Sequence, residues 1–194
     1  MLVLASGSAS QAAGDVPDKF SEGSDLLMPY IVLSDGMSVD PTNPNARATI
    51  LRGVQLLSEV VKEDPEKWDA FWFIGKGHQA LRDHAAAQMA FKQAYAINSS
   101  NPEVARDFMI ELICTGRFAA SVKVAESIVA HHPDHADLLA NLGLAYLANG
   151  QLTQARTAKD KASALDQDDK ITQALLKEVR AVQGGTKPSP YCPN

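Results

Sequence analysis

The sequence lacks the features that most often indicate catalysis, nucleic-acid binding or a membrane span. It contains no glycine-rich phosphate loop, no Gly-x-Ser-x-Gly motif and no cysteine pair at metal-binding spacing. Its net charge of −5 comes without a basic stripe, which argues against a nucleic-acid partner. The longest apolar run, Leu26 to Leu33, is interrupted by Pro29 and is far shorter than the roughly 20 residues that cross a bilayer. We therefore expect no enzyme, no cofactor and no direct membrane span.

Metal-binding and redox side chains are also scarce or badly placed. The two cysteines, Cys114 and Cys192, lie far apart, and although a disulfide between them is compatible with the sequence, we expect two free thiols. His131, His132 and His135 lie close together beside acidic residues, and imidazole and carboxylate groups can bind zinc. Adjacent histidines at a helix end point apart, however, so we expect no metal site there.

What the sequence does contain is a repeat with a period of 34 residues. Three segments begin at Trp68, Pro102 and Ala136, and each reads as helix, turn, helix, turn. A fixed period of this length is typical of a helical solenoid. Because one unit cannot bury its apolar face alone, neighbouring units must stack, and stacking creates a curved surface suited to binding another protein.

The third unit, Ala136 to Asp169, shows the repeat pattern most clearly. Large, small and aromatic residues fall at fixed places in it: Leu139, Leu142, Gly143, Tyr146, Gly150, Ala155 and Ala162. This pattern resembles the tetratricopeptide repeat, and the first unit shares it through Phe71, Ile74, Gly75, Ala87, Phe91 and Ala94. Lys159 stands where the family has an aromatic residue, so we expect the last helix of the third unit to be less well anchored. His78 stands where tyrosine is usual, and Met109 weakens the match of the second unit.

The resemblance implies an all-α fold, a right-handed solenoid of helical hairpins with three full repeats and a half-repeat at each end. Residues 48–65 fit the second helix of a preceding unit, and Pro41 and Pro44 should prevent a regular first helix before it. Lys170 to Gln183 fits one further helix, with Ala174, Leu175 and Leu176 facing inwards. We expect an irregular arm at residues 1–45, the repeat domain at 46–183 and an irregular tail at 184–194.

The arm contains an apolar stretch, residues 25–39, that we interpret as a docking segment. It must be buried in the groove, against the half-repeat end or in a partner, and self-association through the arm or the half-repeat end is one outcome. Residues 1–14 resemble the remnant of a signal peptide as much as a plain tail. The sequence therefore leaves open a cytoplasmic location or a periplasmic or secreted one.

The resemblance also implies where a partner binds. The first helix of each unit lines a concave groove, and the residues that we expect to make contact are Trp72, Lys76, Arg106, Ile110, Ile113, Asn141, Leu144 and Leu147. The clamp of Lys, Asn and Arg with which some family members hold a C-terminal carboxylate is absent from these places. We expect a non-catalytic adaptor or scaffold that binds a protein, as a peptide or helix, within a multiprotein complex. The alternative is a permanent structural subunit of a larger, envelope-associated assembly.

Overall fold

The computed structural model describes residues 18–31 and 43–166, together with residues 168, 172–174, 177 and 179. Within these ranges the chain forms helices and no strand, which confirms the expected all-α solenoid of helical hairpins. The helices are α1 (Lys19–Leu27), α2 (Pro44–Glu63), α3 (Trp68–Ala80), α4 (His84–Ile97), α5 (Pro102–Cys114), α6 (Phe118–His131), α7 (Ala136–Ala148) and α8 (Leu152–Leu165). A 3₁₀ turn, Met28–Tyr30, follows α1.

The helix boundaries repeat with the period of the sequence. The first helices of the three units, α3, α5 and α7, begin at Trp68, Pro102 and Ala136, as the repeat predicts. Their second helices, α4, α6 and α8, begin at His84, Phe118 and Leu152, which are again 34 residues apart. Each helix packs on the next along the chain, and α1 also contacts α3 as α5 contacts α7. Three equivalent hairpins therefore stack in sequence.

The turn inside each hairpin needs a left-handed residue. Gly116 and Gly150 have φ of +74° and +76°, as expected for glycines that end a helix. The equivalent residue of the first repeat is Arg82, with φ of +58°, a conformation that costs a residue with a side chain roughly 1–2 kcal/mol. The first repeat thus tolerates strain that the other two avoid.

Within the first hairpin, α3 and α4 meet at Gly75 and Phe91. Phe91 is fully buried, and a Cβ built on Gly75 would lie 2.5 Å from Phe91 Cε1. Only a residue without a side chain leaves room for the aromatic ring against the facing helix. The small residue and the aromatic residue of the repeat pattern are therefore matched parts of one contact.

The N-terminal region differs from the sequence prediction. Residues 19–27 are helical and not irregular, because the Asp18 side chain caps the helix by accepting a hydrogen bond of 2.8 Å from the Ser21 amide. The helix α2 begins at Pro44, a residue that we expected to prevent a helix. Proline is well tolerated at the first helical position, where no intrahelical N–H bond is needed.

Together, α1 and α2 form a complete helical hairpin in place of the expected half-repeat. Gly23 and Gly53 bring the two helices close, since a Cβ on Gly53 would lie 2.8 Å from the Gly23 carbonyl oxygen. The first helix, α1, lies upstream of the two prolines that we expected to prevent it, and residues 32–42 lie outside the described residues. Leu27 and Ile31 of the apolar segment 25–39 are buried in one cluster with Ile50. Within the described part of that segment, these two side chains are thus buried in the N-terminal hairpin, whereas Met28 is 44% exposed.

Beyond α8, the described residues are consistent with one further helix. Thr172 and Val179 are buried, and Val179 shares a buried cluster with Leu139, Ala140, Leu147, Ala155 and Ala162. Ala174 is exposed, contrary to expectation, because residues seven apart, such as 172 and 179, define the inward face. Residues 175, 176 and 184–194, like residues 1–14, lie outside the described part of the chain.

None of the described helices combines the length and apolar character that crossing a bilayer requires.

Candidate functional site

The predicted contact residues lie on the first helices of the three repeats, on what we call the groove face of α3, α5 and α7. Five of them are buried: Trp72, Lys76, Ile113, Asn141 and Leu147. The other three are half-buried: Arg106, Ile110 and Leu144. The groove face is therefore less exposed and more polar than an open apolar strip, and its role in binding remains a prediction.

A buried carboxylate, Asp107, joins α3 to α5 at the centre of this face. Its Oδ2 accepts a hydrogen bond of 2.9 Å from Trp72 Nε1 and lies 3.5 Å from Lys76 Nζ. Its Oδ1 accepts hydrogen bonds of 3.3 Å from Nε and Nη2 of Arg106. Asp107 and Lys76 are 2% and 4% exposed, so the pair is nearly removed from water. Two cations and an indole N–H offset the cost of burying the charge.

A second buried carboxylate, Glu111, lies one helical turn further along α5. Its Oε1 accepts a hydrogen bond of 2.8 Å from Gln79 Nε2, and its Oε2 lies 2.8 Å from His84 Nδ1. Gln79 Oε1 in turn accepts a hydrogen bond of 2.9 Å from Lys76 Nζ. The two carboxylates therefore belong to one network that fixes α3, α4 and α5 together.

Sequence reasoning gave no role to either carboxylate, Asp107 or Glu111. Glu111 does not occupy one of the groove places of the repeat pattern. The available signal was the spacing, because acidic residues four apart on a helix lie on the same face. The first-repeat residues Lys76 and Gln79, one turn apart on α3, are the complementary partners.

Aromatic side chains close the N-terminal end of the groove face. The rings of Trp72 and Phe73 meet edge to face with centroids 5.0 Å apart, and Phe20 of α1 meets Phe73 at 5.9 Å. Lys67 Nζ lies 4.1 Å from the centre of the Phe20 ring. The upstream helix α1 thus completes this end, a contribution that the sequence analysis did not foresee.

Asn141 on α7 is the repeat equivalent of Asp107, 34 residues later. It is 5% exposed, and its Nδ2 has no hydrogen-bond partner among the described residues. Leaving such a donor unpaired in a buried place costs about 1–3 kcal/mol. The third repeat therefore contains a buried, unpaired donor where the second repeat has a satisfied acceptor.

Cys114, at the end of α5, is disulfide-bonded, so the expectation of a free thiol was wrong for this residue. The sequence has one other cysteine, Cys192, which lies outside the described residues. The described residues also include a group of side chains that could bind a metal ion, made of His84, Glu111 and Cys114. One nitrogen, oxygen or sulfur atom of each lies within 4.8 Å of the others. A disulfide sulfur is not the thiolate that binds metal, which leaves two candidate ligands.

Comparison with known proteins agrees with the repeat architecture. Residues 112–179 match a family model described as tetratricopeptide repeat. A crystal structure of MamA superimposes with a TM-score of 0.62 at 15% identity, covering 77% of this chain and 87% of that one. MamA from Desulfovibrio magneticus RS-1, residues 41 to the end, gives 0.59 at 17% identity, covering 87% of this chain and 97% of that one.

A third similar structure is YrrB, described as a TPR protein with an unusual peptide-binding site. Its TM-score is 0.59 at 19% identity, with 69% of each chain covered. At these identities the similarity shows the fold alone. No curated protein matches the sequence.

Residues 112–179 thus match the tetratricopeptide repeat, and the stacked hairpins from α3 to α8 keep the same 34-residue period.

Proposed function

We propose that this protein is a non-catalytic scaffold that binds one peptide or helix of a partner protein on its groove face. Ile110 and Leu144 supply apolar contact area, together with the edges of the more buried Trp72, Ile113 and Leu147. Arg106, Lys76 and Asn141 orient the bound segment. The fold is one that serves protein interaction, and a neighbour of the same fold, YrrB, is described as having a peptide-binding site.

The observation that carries the proposal is the unpartnered Asn141 amide. Asn141 Nδ2 has almost no exposed surface, so a small movement of side chains around it must first uncover it; a backbone carbonyl oxygen of the bound peptide can then accept its hydrogen bond. Binding would then recover the free energy lost by burying an unsatisfied donor. Ile110 and Leu144 are repeat equivalents, and they present half-buried apolar surface on the two neighbouring helices.

The Asp107 and Glu111 network supports the same function by fixing the shape of the groove face. Its hydrogen bonds and ion pairs join three helices before any partner arrives. A preformed surface loses little conformational entropy on binding, so more of the apolar burial appears as affinity. Apolar burial itself contributes roughly 25 cal/mol per Å² before the costs of association.

A displayed peptide library selected against the full chain tests the proposal. The selected peptide, labelled with fluorescein, is then titrated with the wild type, with the double variant Ile110→Glu/Leu144→Glu and with the control Met89→Glu. Met89 is 70% exposed on the outer helix α4, so its variant adds the same charge away from the groove face. All three proteins are first compared by circular dichroism to show that each is folded.

The proposal expects affinity to fall at least tenfold in the groove variant, a loss of about 1.4 kcal/mol or more, and to stay unchanged in the control. Equal affinity of the groove variant and the wild type would show that the peptide binds elsewhere. Concentration-dependent self-association of the wild type, with no selected peptide, would favour the alternative role as a permanent structural subunit.

A further inference from the structure

Three side chains with metal-binding chemistry meet where α4 begins and α5 ends. His84 is the first residue of α4, and Glu111 and Cys114 lie in the last turn of α5. Because residues three apart on a helix lie on the same face, Glu111 and Cys114 reach the same neighbour. One nitrogen, oxygen or sulfur atom of each of the three residues lies within 4.8 Å of the others. Imidazole, carboxylate and thiolate are the side-chain groups that bind zinc in proteins.

We propose that His84, Glu111 and Cys114 form a zinc site that becomes complete when the disulfide of Cys114 is reduced. In the disulfide the sulfur is not a thiolate, so only the imidazole and the carboxylate can bind metal. Reduction supplies the third ligand, and a water molecule takes the fourth tetrahedral position. The site concerns the chain's own chemistry and does not depend on the proposed function. The sequence analysis expected no cofactor, because these residues have no metal-binding spacing along the chain.

The distances between the three side chains are close to those that zinc requires. Zinc bonds of about 2.0–2.3 Å at tetrahedral angles separate neighbouring ligand atoms by about 3.3–3.6 Å. His84 Nδ1 and Glu111 Oε2 are 2.8 Å apart, and the sulfur of Cys114 belongs to the same group within 4.8 Å. Side-chain movements of about 1 Å therefore bring the three atoms to zinc-binding distances.

The pair of His84 and Glu111 suits a cation better than a hydrogen bond alone. Glu111 is fully buried, and its carboxylate contacts the neutral amide of Gln79 and the His84 imidazole. Zinc would bring two positive charges to this buried carboxylate, whereas an imidazole brings one only when it is protonated. His84 Nε2 is buried without a hydrogen-bond partner among the described residues, so hydrogen bonds leave one ring nitrogen of this imidazole unsatisfied.

The surroundings of the three residues supply what a zinc site needs beyond its ligands. Gln79 Nε2 donates a hydrogen bond of 2.8 Å to Glu111 Oε1, which orients the carboxylate and leaves Oε2 for the metal. Such supporting contacts commonly tune metal affinity. His84 and Cys114 are half-buried, unlike Glu111, so zinc can enter from their side.

Formation of the site needs a reductant, and a phosphine serves in the experiment. The phosphine takes one oxygen atom from water and becomes a phosphine oxide. The disulfide gains two electrons and two protons and becomes two thiols. Zinc then displaces the proton of the Cys114 thiol, which is released to solvent. Oxidation back to the disulfide removes the thiolate and releases the metal.

The first test compares zinc binding in the two redox states of the full chain. One sample is reduced with a phosphine that is then removed by gel filtration under nitrogen, and the other is left oxidised. Thiol titration confirms that both cysteines of the reduced chain are free. Competition with a chromogenic chelator should show one zinc ion per reduced chain, bound more than about 100-fold more tightly than by the oxidised chain. Equal binding in both states, or none in the reduced state, would overturn the proposal.

The second test assigns the ligands by substitution in the reduced chain. His84→Gln, Glu111→Gln and Cys114→Ser should each weaken zinc binding by more than about 100-fold, since even supporting residues change metal affinity by about 10–100-fold. Circular dichroism first shows that each variant is folded. Zinc affinity equal to the wild type in any folded variant would remove that residue from the site.

Two control variants test whether zinc binds elsewhere on the chain. His135 Nδ1 lies 3.6 Å from Asp137 Oδ1 in an exposed histidine–carboxylate pair, so His135→Gln is matched to His84→Gln. Cys192→Ser removes the other thiol of the sequence. Both variants should bind zinc as the wild type does. A loss in either control as large as in His84→Gln would place the metal at other residues.

The third test needs no substitution, so it is decisive even if a ligand variant fails to fold. Cobalt(II) is added to the reduced wild-type chain in place of zinc, because a cobalt–thiolate bond gives a charge-transfer absorption in the near ultraviolet. The proposal expects this absorption in the reduced chain, its absence in the oxidised chain and its loss when zinc displaces cobalt. Cobalt binding without this absorption would show that the Cys114 thiolate is not a ligand.

Discussion

The first and third repeats have helices at equivalent positions, but the side chains between their two helices differ. In the first, the fully buried ring of Phe91 packs directly against Gly75. In the third, Lys159 occupies the place of Phe91, and its Nζ pairs with Asp160 at 2.6 Å. A cavity of about 240 Å³ lies nearby, bounded by Leu139, Leu142, Tyr146, Thr157 and Ala158.

This difference shows that the repeat frame specifies helix positions more strictly than it specifies interior packing. The backbone turns of the second and third repeats are nearly identical, with Gly116 and Gly150 in the same conformation. The aromatic contact can be lost in one repeat because neighbouring helices still bury its remaining apolar face. The expected weaker anchoring of α8 therefore stays a prediction, which stability measurements can check.

The largest contrast is expected from truncating the two equivalent residues. Phe91→Ala removes a fully buried ring and should reduce the free energy of unfolding by about 3–5 kcal/mol. Lys159→Ala removes a partly exposed chain and should change it by about 0.5 kcal/mol or less. Urea denaturation followed by circular dichroism measures both. Similar losses for the two variants would show that the third repeat depends on this place as much as the first.

The next largest effect is expected from the buried network, which the third repeat lacks. Glu111→Ala leaves Gln79 Nε2 and His84 Nδ1 without their carboxylate partner and should cost about 2–3 kcal/mol. The matched control, Glu126→Ala, removes an exposed carboxylate that accepts a hydrogen bond of 2.7 Å from Tyr146. It should cost about 0.5 kcal/mol or less. If the control were as costly, burial would not explain the effect.

A smaller effect is expected from the hairpin turns. Gly150→Ala forces a side chain into the left-handed conformation in open space and should cost about 1–2 kcal/mol. Arg82→Gly should stabilise by up to the same amount, less what the contacts of Arg82 contribute. Thermal unfolding of both variants gives the two values. A destabilised Arg82→Gly would show that those contacts outweigh the backbone strain.

The smallest effect concerns His78, which stands in the first repeat where the third has Tyr146. Burial lowers the pKa of His78 below its usual 6.5, whereas burial and the hydrogen bond to Glu126 raise the pKa of Tyr146 to about 12. The unfolded chain therefore binds the His78 proton more readily, so stability should fall as the pH drops below about 6.5. His78→Tyr should reduce this acid dependence, measured as the melting temperature at pH 7 and pH 5. An unchanged dependence would assign it to other groups.

The sequence predicts most of the fold because the repeat gives the first residue of α3, α5 and α7 and a second helix within each unit. It fails at the N-terminal hairpin, where α1 lies outside the 34-residue frame and is joined to α2 by a longer connection. Proline at Pro44 looks like a helix breaker in the sequence and is a helix start in the structure. Periodicity reports equivalent positions and cannot detect an element that breaks the period.

The sequence predicted where the candidate site lies, but it did not predict the buried charges and hydrogen bonds within it. Repeat places identified Trp72, Lys76 and Arg106 as neighbours on the groove face, but not that they surround a buried carboxylate. Glu111 and the disulfide of Cys114 depend on contacts between residues distant in sequence. Such pairings follow from tertiary packing, and a single sequence carries no direct record of them.

The central claim is that a partner segment binds on the groove face and is held by Asn141. The most direct measurement is an NMR titration of the full chain with the selected peptide, in which the side-chain amide of Asn141 and the methyl groups of Ile110 and Leu144 are followed. The account predicts that the Asn141 Nδ2 protons shift downfield on forming a hydrogen bond and that these methyl groups shift with them. Shifts confined to the outer helices α4, α6 and α8 would contradict it.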